Sequence, residues 1–219
     1  MRPYKISVQL GLEAAEELDY DFRCFFLYRP KQELSVRADV RCEEMIANGL
    51  LDECATLLRE NITAGSHCCS RGIGYRQGLD YLERWVRDPS RVDGEELRQL
   101  CASMQSATRT LIRKQEMWFR GYALFRWVDN TDGDTAYDEV LDQFSRPYLE
   151  GNNSGEFEKT KEDREAMRRY ITKFTVLSKE SPRLPEIVAR ARDLVNRLRE
   201  DTKVRAVLDI DSTQKTSYE

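Results

Sequence analysis

The sequence predicts a mainly α protein with a few short strands, and three observations carry that reading. Apolar residues recur at helical spacing over most of the 219 positions. Only two runs, FRCFFLY at 22–28 and FRWV at 125–128, have the compact aromatic and β-branched make-up of strands. Turn-forming residues fall between the periodic stretches rather than inside them.

Taken in order, residues 1–19 carry no assignable element, and the first strand, at 22–28, is expected to be buried and to stop at Arg29-Pro30. Helical spacing runs from 32 to 48, where Gly49 after Asn48 supplies the left-handed residue that commonly closes a helix. A second helix starts at Leu50 and ends before Ala64-Gly65-Ser66. A glycine-punctuated loop, RGIGYRQ at 71–77, leads into an aromatic helix at 79–86, which Asp88-Pro89-Ser90 breaks. A long helix then fills about 95–121, with Leu97, Leu100, Met104, Leu111 and Trp118 assigned to its buried side. The last strand is followed by turn-rich residues 129–133. The division expected is a main domain over 20–130, a linker over 131–155, a helical extension over 156–205 and a disordered tail over 206–219. Within the extension, helices are expected at about 161–178 and 185–201, the second with a narrow apolar stripe of Ile187, Ala191, Leu194 and Leu198.

Composition narrows the class. No apolar run approaches the roughly 20 residues that span a bilayer, and MRPYKISVQL lacks the apolar centre of a secretory signal, so an intracellular protein is expected. Six cysteines without Cys-x-x-Cys spacing suit buried thiols in a reducing compartment. The single histidine, His67, stands beside Cys68 and Cys69, but no second spaced pair completes a zinc set, and no metal site is expected. A net charge of −4 excludes a uniformly basic nucleic-acid coat and restricts any such contact to a local, salt-sensitive patch.

Three groups of residues could carry chemistry. On the first helix, Leu34, Ala38 and Met45 outline an apolar stripe, with Arg41 projecting into it and Arg37 on its edge one turn earlier. An inward guanidinium must be paired, either with Asp39 or Glu44 or with an anionic ligand such as a diphosphate that its donor fork can grip. The loop residues Arg71, Gly74, Tyr75, Arg76 and Gln77 combine close backbone approach, an aromatic ring and two cations, a set suited to single-stranded RNA or to a plain turn. On the long helix, Arg109, Arg113 and Arg120, with Lys114 and Gln115, make a basic face that is either an RNA contact or a solvated surface. Nowhere does the chain contain a Gly-x-x-x-x-Gly-Lys-Ser/Thr phosphate loop.

The blocks RADVRCEEM at 37–45 with GLLDE at 49–53, then GIGYRQ at 72–77, then ATRTLIRKQEMWFR at 107–120, in that order, closely resemble the tRNA dimethylallyltransferase (IPP transferase) family over about 20–129. The resemblance implies the C-terminal part of a P-loop-type α/β transferase fold with a helical C-terminal extension. It also implies transfer of a dimethylallyl group from its diphosphate to the exocyclic amine of the adenosine beside the tRNA anticodon. Arg41 takes the position of the family's catalytic arginine, with Arg37 as a second diphosphate contact. Arg71, Gly74, Tyr75, Arg76, Gln77, Arg109, Arg113, Lys114, Gln115 and Arg120 fall in segments that grip the anticodon stem-loop, while Trp118 serves as core anchor or RNA contact. The family's phosphate loop and aspartate base would precede Met1, which leads us to expect a missing N-terminal half, an inactive chain on its own, and dimethylallyl diphosphate and Mg bound only by the full-length enzyme. A zinc finger of the kind seen in eukaryotic relatives cannot form with one histidine. Cytoplasm or mitochondrion is the expected location. The alternatives are a non-catalytic RNA-binding or interaction module derived from that enzyme and, less favoured, an adenylate isopentenyltransferase.

Overall fold

A computed structural model describes residues 23–122, 125–146, 165, 167 and 169–210. The expected segment 1–19, the whole linker glycine run at 150–155, much of the helix at 161–178 and the end of the tail lie outside the described residues. The elements are β1 (Cys24–Tyr28), α1 (Lys31–Ala47), α2 (Leu50–Arg59), α3 (Tyr75–Trp85), α4 (Gly94–Arg120), β2 (Phe125–Asp129), α5 (Gly133–Ser145), α6 (Leu184–Glu200) and α7 (Thr202–Val207). Mainly helical structure with one small sheet matches the fold class read from the sequence. No described helix is long and apolar enough to cross a membrane.

The chain divides into two compact units, one drawn from residues up to 35 and from 111–170, the other from 36–110 and 171–219. In the first, β1 and β2 pair in parallel, Cys24 opposite Phe125 through Tyr28 opposite Asp129. The ring of Trp127, fully buried, lies 4.4 Å from Phe26 and 5.9 Å from Tyr28, and Phe119 sits 4.8 Å from Phe26 and 4.7 Å from Phe125. These tilted and edge-on aromatic pairs make the local core. The expected buried strand is only half-buried, because a strand alternates its side chains and Leu27 is turned outward, 55% exposed. Where the sequence suggested a linker from 131, α5 forms instead. Asp132 caps it by accepting hydrogen bonds from the Asp134 amide at 3.3 Å and the Thr135 hydroxyl at 2.5 Å. The turn residues at 129–133 therefore announce a helix start as well as a strand end.

The second unit has a single apolar core. Leu51, Cys54 and Leu58 of α2 meet Leu79, Leu82 and Val86 from α3 and its C-terminal turn, and Leu97, Cys101 and Met104 of α4. Leu194, Val195 and Leu198 of α6, with Val204 of α7 and Leu177 before them, complete the same cluster. The predicted stripe of Ile187, Ala191, Leu194 and Leu198 is buried in full, so the extension is part of this core. Residues 171–183 form turns rather than the C-terminal half of the expected helix, and α7 with the buried Leu208 occupies the start of what read as tail. Gly49, at φ 116°, reverses the chain between α1 and α2 as its position implied. Polar contacts hold the extension in place: Arg59 Nε donates to Asp201 at 2.9 Å, and Arg190 Nη2 donates to Asp52 at 2.6 Å. Because Leu198 leaves no accessible surface, Leu198→Ala is expected to destabilise this unit by about 2–5 kcal/mol, measured as a lower urea midpoint.

Candidate nucleic-acid interface and anion site

Helix α1 is set by its polar buried face, not by the stripe that the sequence suggested. Leu34, Ala38 and Met45 are only partly covered, whereas Ser35, Asp39, Cys42, Glu43 and Ile46 are buried. The face is rotated because two carboxylates find internal partners. Asp39 pairs with Arg109, and its backbone oxygen accepts from Gln105 Nε2 at 3.1 Å. The carboxylate of Glu43, with no exposed surface, accepts from the Thr175 amide at 3.0 and 3.1 Å, the Thr175 hydroxyl at 3.2 Å and the Leu177 amide at 2.7 Å.

Arg41 is thereby corrected. It does not project into the core; it is exposed, as is Arg37 one turn earlier. Arg41 forms no ion pair among the described residues, since Asp39 is taken by Arg109. It lines an open cavity of about 240 Å³ with Glu44, Met45, Asn48, Leu50 and Glu53. The two acids make this pocket a poor diphosphate site by itself, so an anion held there would rely on Arg41 together with cations beyond those lining the cavity. Cys42 behind it is buried against the Thr108 hydroxyl at 3.7 Å, and burial pushes its thiol pKa up.

The 71–77 segment is half loop and half helix. Tyr75, Arg76 and Gln77 form the first turn of α3, which begins earlier than expected. Gly74 has φ 97° and is buried; a Cβ there would stand 3.1 Å from Met45 Cε, so the position demands glycine for backbone reasons. Gln77 is committed to capping, its Oε1 accepting from the Gly74 amide at 2.9 Å. Tyr75 donates its hydroxyl to Glu53 at 2.8 Å, a bond that raises its pKa together with the nearby negative charge. Arg71 turns back to the Gly65 carbonyl at 3.3 Å, leaving Arg71 and Arg76 as exposed cations of this segment. Of the five residues assigned to RNA here, three have structural work.

On α4 the predicted basic face splits. Arg109 belongs to the Asp39 pair and is a structural residue. Arg113, Lys114 and Gln115 are exposed. Arg120 is half-buried, 3.3 Å from Glu116 and with its guanidinium 5.3 Å over the Trp127 ring, so it serves the core of the first unit. Glu116 is 6% exposed and also faces Lys31 Nζ at 3.8 Å. The apolar assignment fails past Met104: Leu111 is 43% exposed and Trp118 58%, with Met117 at 60%. Spacing of 104, 111 and 118 drifts about 20° per heptad from a straight helix, which carries the later residues off the buried face. Met117 and Trp118, each one turn after Arg113 and Lys114, add a thioether and an aromatic to the exposed cations, and of the two readings left open for Trp118 the exposed one fits its position. Trp118 stands edge-on to Phe119 and Tyr122 at 4.7 and 5.0 Å.

Comparison with known proteins places this geometry in a class. The family model described as IPP transferase matches residues 4–122, more than half of the chain. The chain belongs to the IPP transferase family. A tRNA dimethylallyltransferase of Protochlamydia amoebophila is 37% identical over 128 residues, 58% of this chain and 35% of that protein. The tRNA dimethylallyltransferase 9 of Arabidopsis thaliana is 36% identical over 126 residues, 56% of this chain and 27% of that protein. A tRNA dimethylallyltransferase of Chloroflexus aggregans is 38% identical over 98 residues, 45% and 30% respectively. The chain thus spans about a third of the length of these relatives. No solved structure matches. The helices α6 and α7 lie beyond the matched residues, although they share one core with α2, α3 and α4.

Removing Arg109 leaves a buried carboxylate without its cation. Arg109→Ala is therefore expected to cost about 3–5 kcal/mol of unfolding free energy in urea titration, a loss that a surface RNA contact would not produce.

Proposed function

We propose that this chain forms the diphosphate-facing and RNA-facing parts of a tRNA dimethylallyltransferase, acting on the adenosine beside the anticodon in cytoplasm or mitochondrion. The observation that carries the reading is the sharing of roles on α1. Asp39 and Glu43 are engaged inside their unit, while Arg41 between them is exposed and forms no ion pair among the described residues. A guanidinium so placed can meet an exogenous anion.

In the proposed reaction the adenine amine attacks the terminal allylic carbon of dimethylallyl diphosphate. The carbon–oxygen bond breaks with its electron pair leaving on the diphosphate, and the amine gives up a proton to a base. Arg41, with Arg37 as the second contact, stabilises the charge growing on the leaving oxygen. Arg71 and Arg76 in one unit, and Arg113, Lys114, Gln115 and Trp118 in the other, contact the anticodon stem-loop through phosphates and a stacked base. A Mg ion would ride on the substrate's phosphates; no group of described side chains is arranged to hold one, and no step here depends on it.

Binding of a labelled anticodon stem-loop across a salt series tests this reading. Affinity is expected to fall steeply with salt, and Arg113→Ala with Lys114→Ala to flatten the log–log slope by about one to two. Trp118→Ala is expected to remove about 1–3 kcal/mol of binding. Salt-independent binding unchanged by all three substitutions would refute the interface. Incubated alone with tRNA and dimethylallyl diphosphate, the chain is expected to form no prenylated adenosine, and its detection by nucleoside mass spectrometry would contradict the roles assigned here.

A further inference from the structure

The turn between α2 and α3 carries a cluster that the transfer reaction does not use. His67, Cys68 and Cys69 are consecutive and exposed, and His67 Nδ1 lies 3.4 Å from Cys68 Sγ and 3.4 Å from Cys69 Sγ. Two thiols thus share one ring nitrogen. The turn that presents them is fixed: the buried Ser70 hydroxyl donates to the His67 carbonyl at 3.0 Å and accepts from the His67 amide at 3.1 Å. Upstream, the Ala64 amide donates to Glu83 at 2.7 Å, and Ser66 Oγ accepts from the Thr63 amide at 3.0 Å. No described group of His, Cys, Asp and Glu side chains is arranged to hold a metal.

We propose that Cys68 and Cys69 form a reversible thiol-modification site for a small disulfide of the glutathione class, with His67 as the proton acceptor. One cysteine sulfur attacks a sulfur of the disulfide while its proton passes to His67 Nδ1. A protein–glutathione S–S bond forms, the original S–S bond breaks, and the departing thiolate takes the proton back from the imidazolium. The protein thiol is oxidised and one glutathione is released reduced, so atoms and electrons balance. Because one nitrogen faces both sulfurs, it serves one of them at a time, and a first adduct on either sulfur crowds its neighbour. The other described cysteines are disfavoured: Cys42, Cys54 and Cys101 are buried and Cys24 is half-buried, and burial raises the Cys24 thiol pKa and pushes the Cys54 thiol up to about 12. The adduct would place a net anionic tripeptide two or three residues before Arg71 and oppose RNA phosphates there. That consequence rests on the RNA reading; the thiol chemistry does not.

Incubation of the full chain with glutathione disulfide, read by intact mass and peptide mapping, tests the site. One adduct is expected at Cys68 or Cys69, none at Cys42, Cys54 or Cys101, and none when Cys68→Ser and Cys69→Ser are combined. Each single Ser variant keeps one adduct, and His67→Gln slows its formation by about tenfold. First modification at a buried cysteine, or an unchanged rate in His67→Gln, would overturn the proposal whatever the RNA affinity. Modification is further expected to weaken stem-loop binding, with recovery on adding dithiothreitol.

Discussion

Two carboxylates, Asp39 and Glu43, one turn apart on the same face of α1, set the arrangement of the larger unit. Taking such groups out of water costs several kcal/mol each unless the site returns charge or hydrogen bonds. Asp39 receives Arg109, and Glu43 receives two amide hydrogens and a hydroxyl from residues 175–177. The first ties α1 to α4. The second ties α1 to the segment that delivers α6. A polar spine of this kind specifies register: any rotation of α1 would strand a charge, whereas an apolar face could slide by a few ångströms at little cost. Exposure of Arg41 follows from the same constraint, since burying residues 39 and 43 turns residue 41 about 200° away on a helix.

Element positions were readable wherever local chemistry decided them. Gly49 with its positive φ, the break at Asp88-Pro89-Ser90 and the stripe from Ile187 to Leu198 all ended where turn and period rules place them. Faces were less readable. The stripe of Leu34, Ala38 and Met45 looked like a core because sequence shows which residues are apolar but not which acids have partners 66 to 134 positions away. The same blindness made Arg109 an RNA contact and left Trp118 between core anchor and RNA contact. Charge pattern alone cannot separate a guanidinium that closes a buried pair from one that waits for phosphate. Helix α5 was missed because its start, Asp132-Gly133, has the composition of a loop and its large apolar residues Tyr137, Leu141 and Phe144 are exposed.

The smaller unit obeys a different economy, built on rings rather than charges. Among the described residues, Phe26, Phe119, Phe125 and Trp127 form its aromatic cluster, and Arg120 covers the indole while reaching Glu116. An arginine on an aromatic face keeps part of its solvation and still shields apolar area, which explains why a position in the basic block serves packing. Beyond this cluster the helix presents Arg113, Lys114 and Trp118 outward, so about two helical turns separate the structural Arg120 from the surface cations.

The parallel pairing of β1 with β2 has a consequence in time. Cys24 meets Phe125, a partner 101 positions further along the chain, with α1 to α4 synthesised in between. During translation at about 5–20 residues per second, the first strand is made several seconds before its partner. Through that interval its backbone donors and acceptors and the outward Leu27 are without this pairing, while the local contacts of α2 with α3 can already close. Sheet formation is therefore later than the closing of α2 on α3, and until β2 is made the apolar strand Cys24–Tyr28 is open to a nascent-chain chaperone.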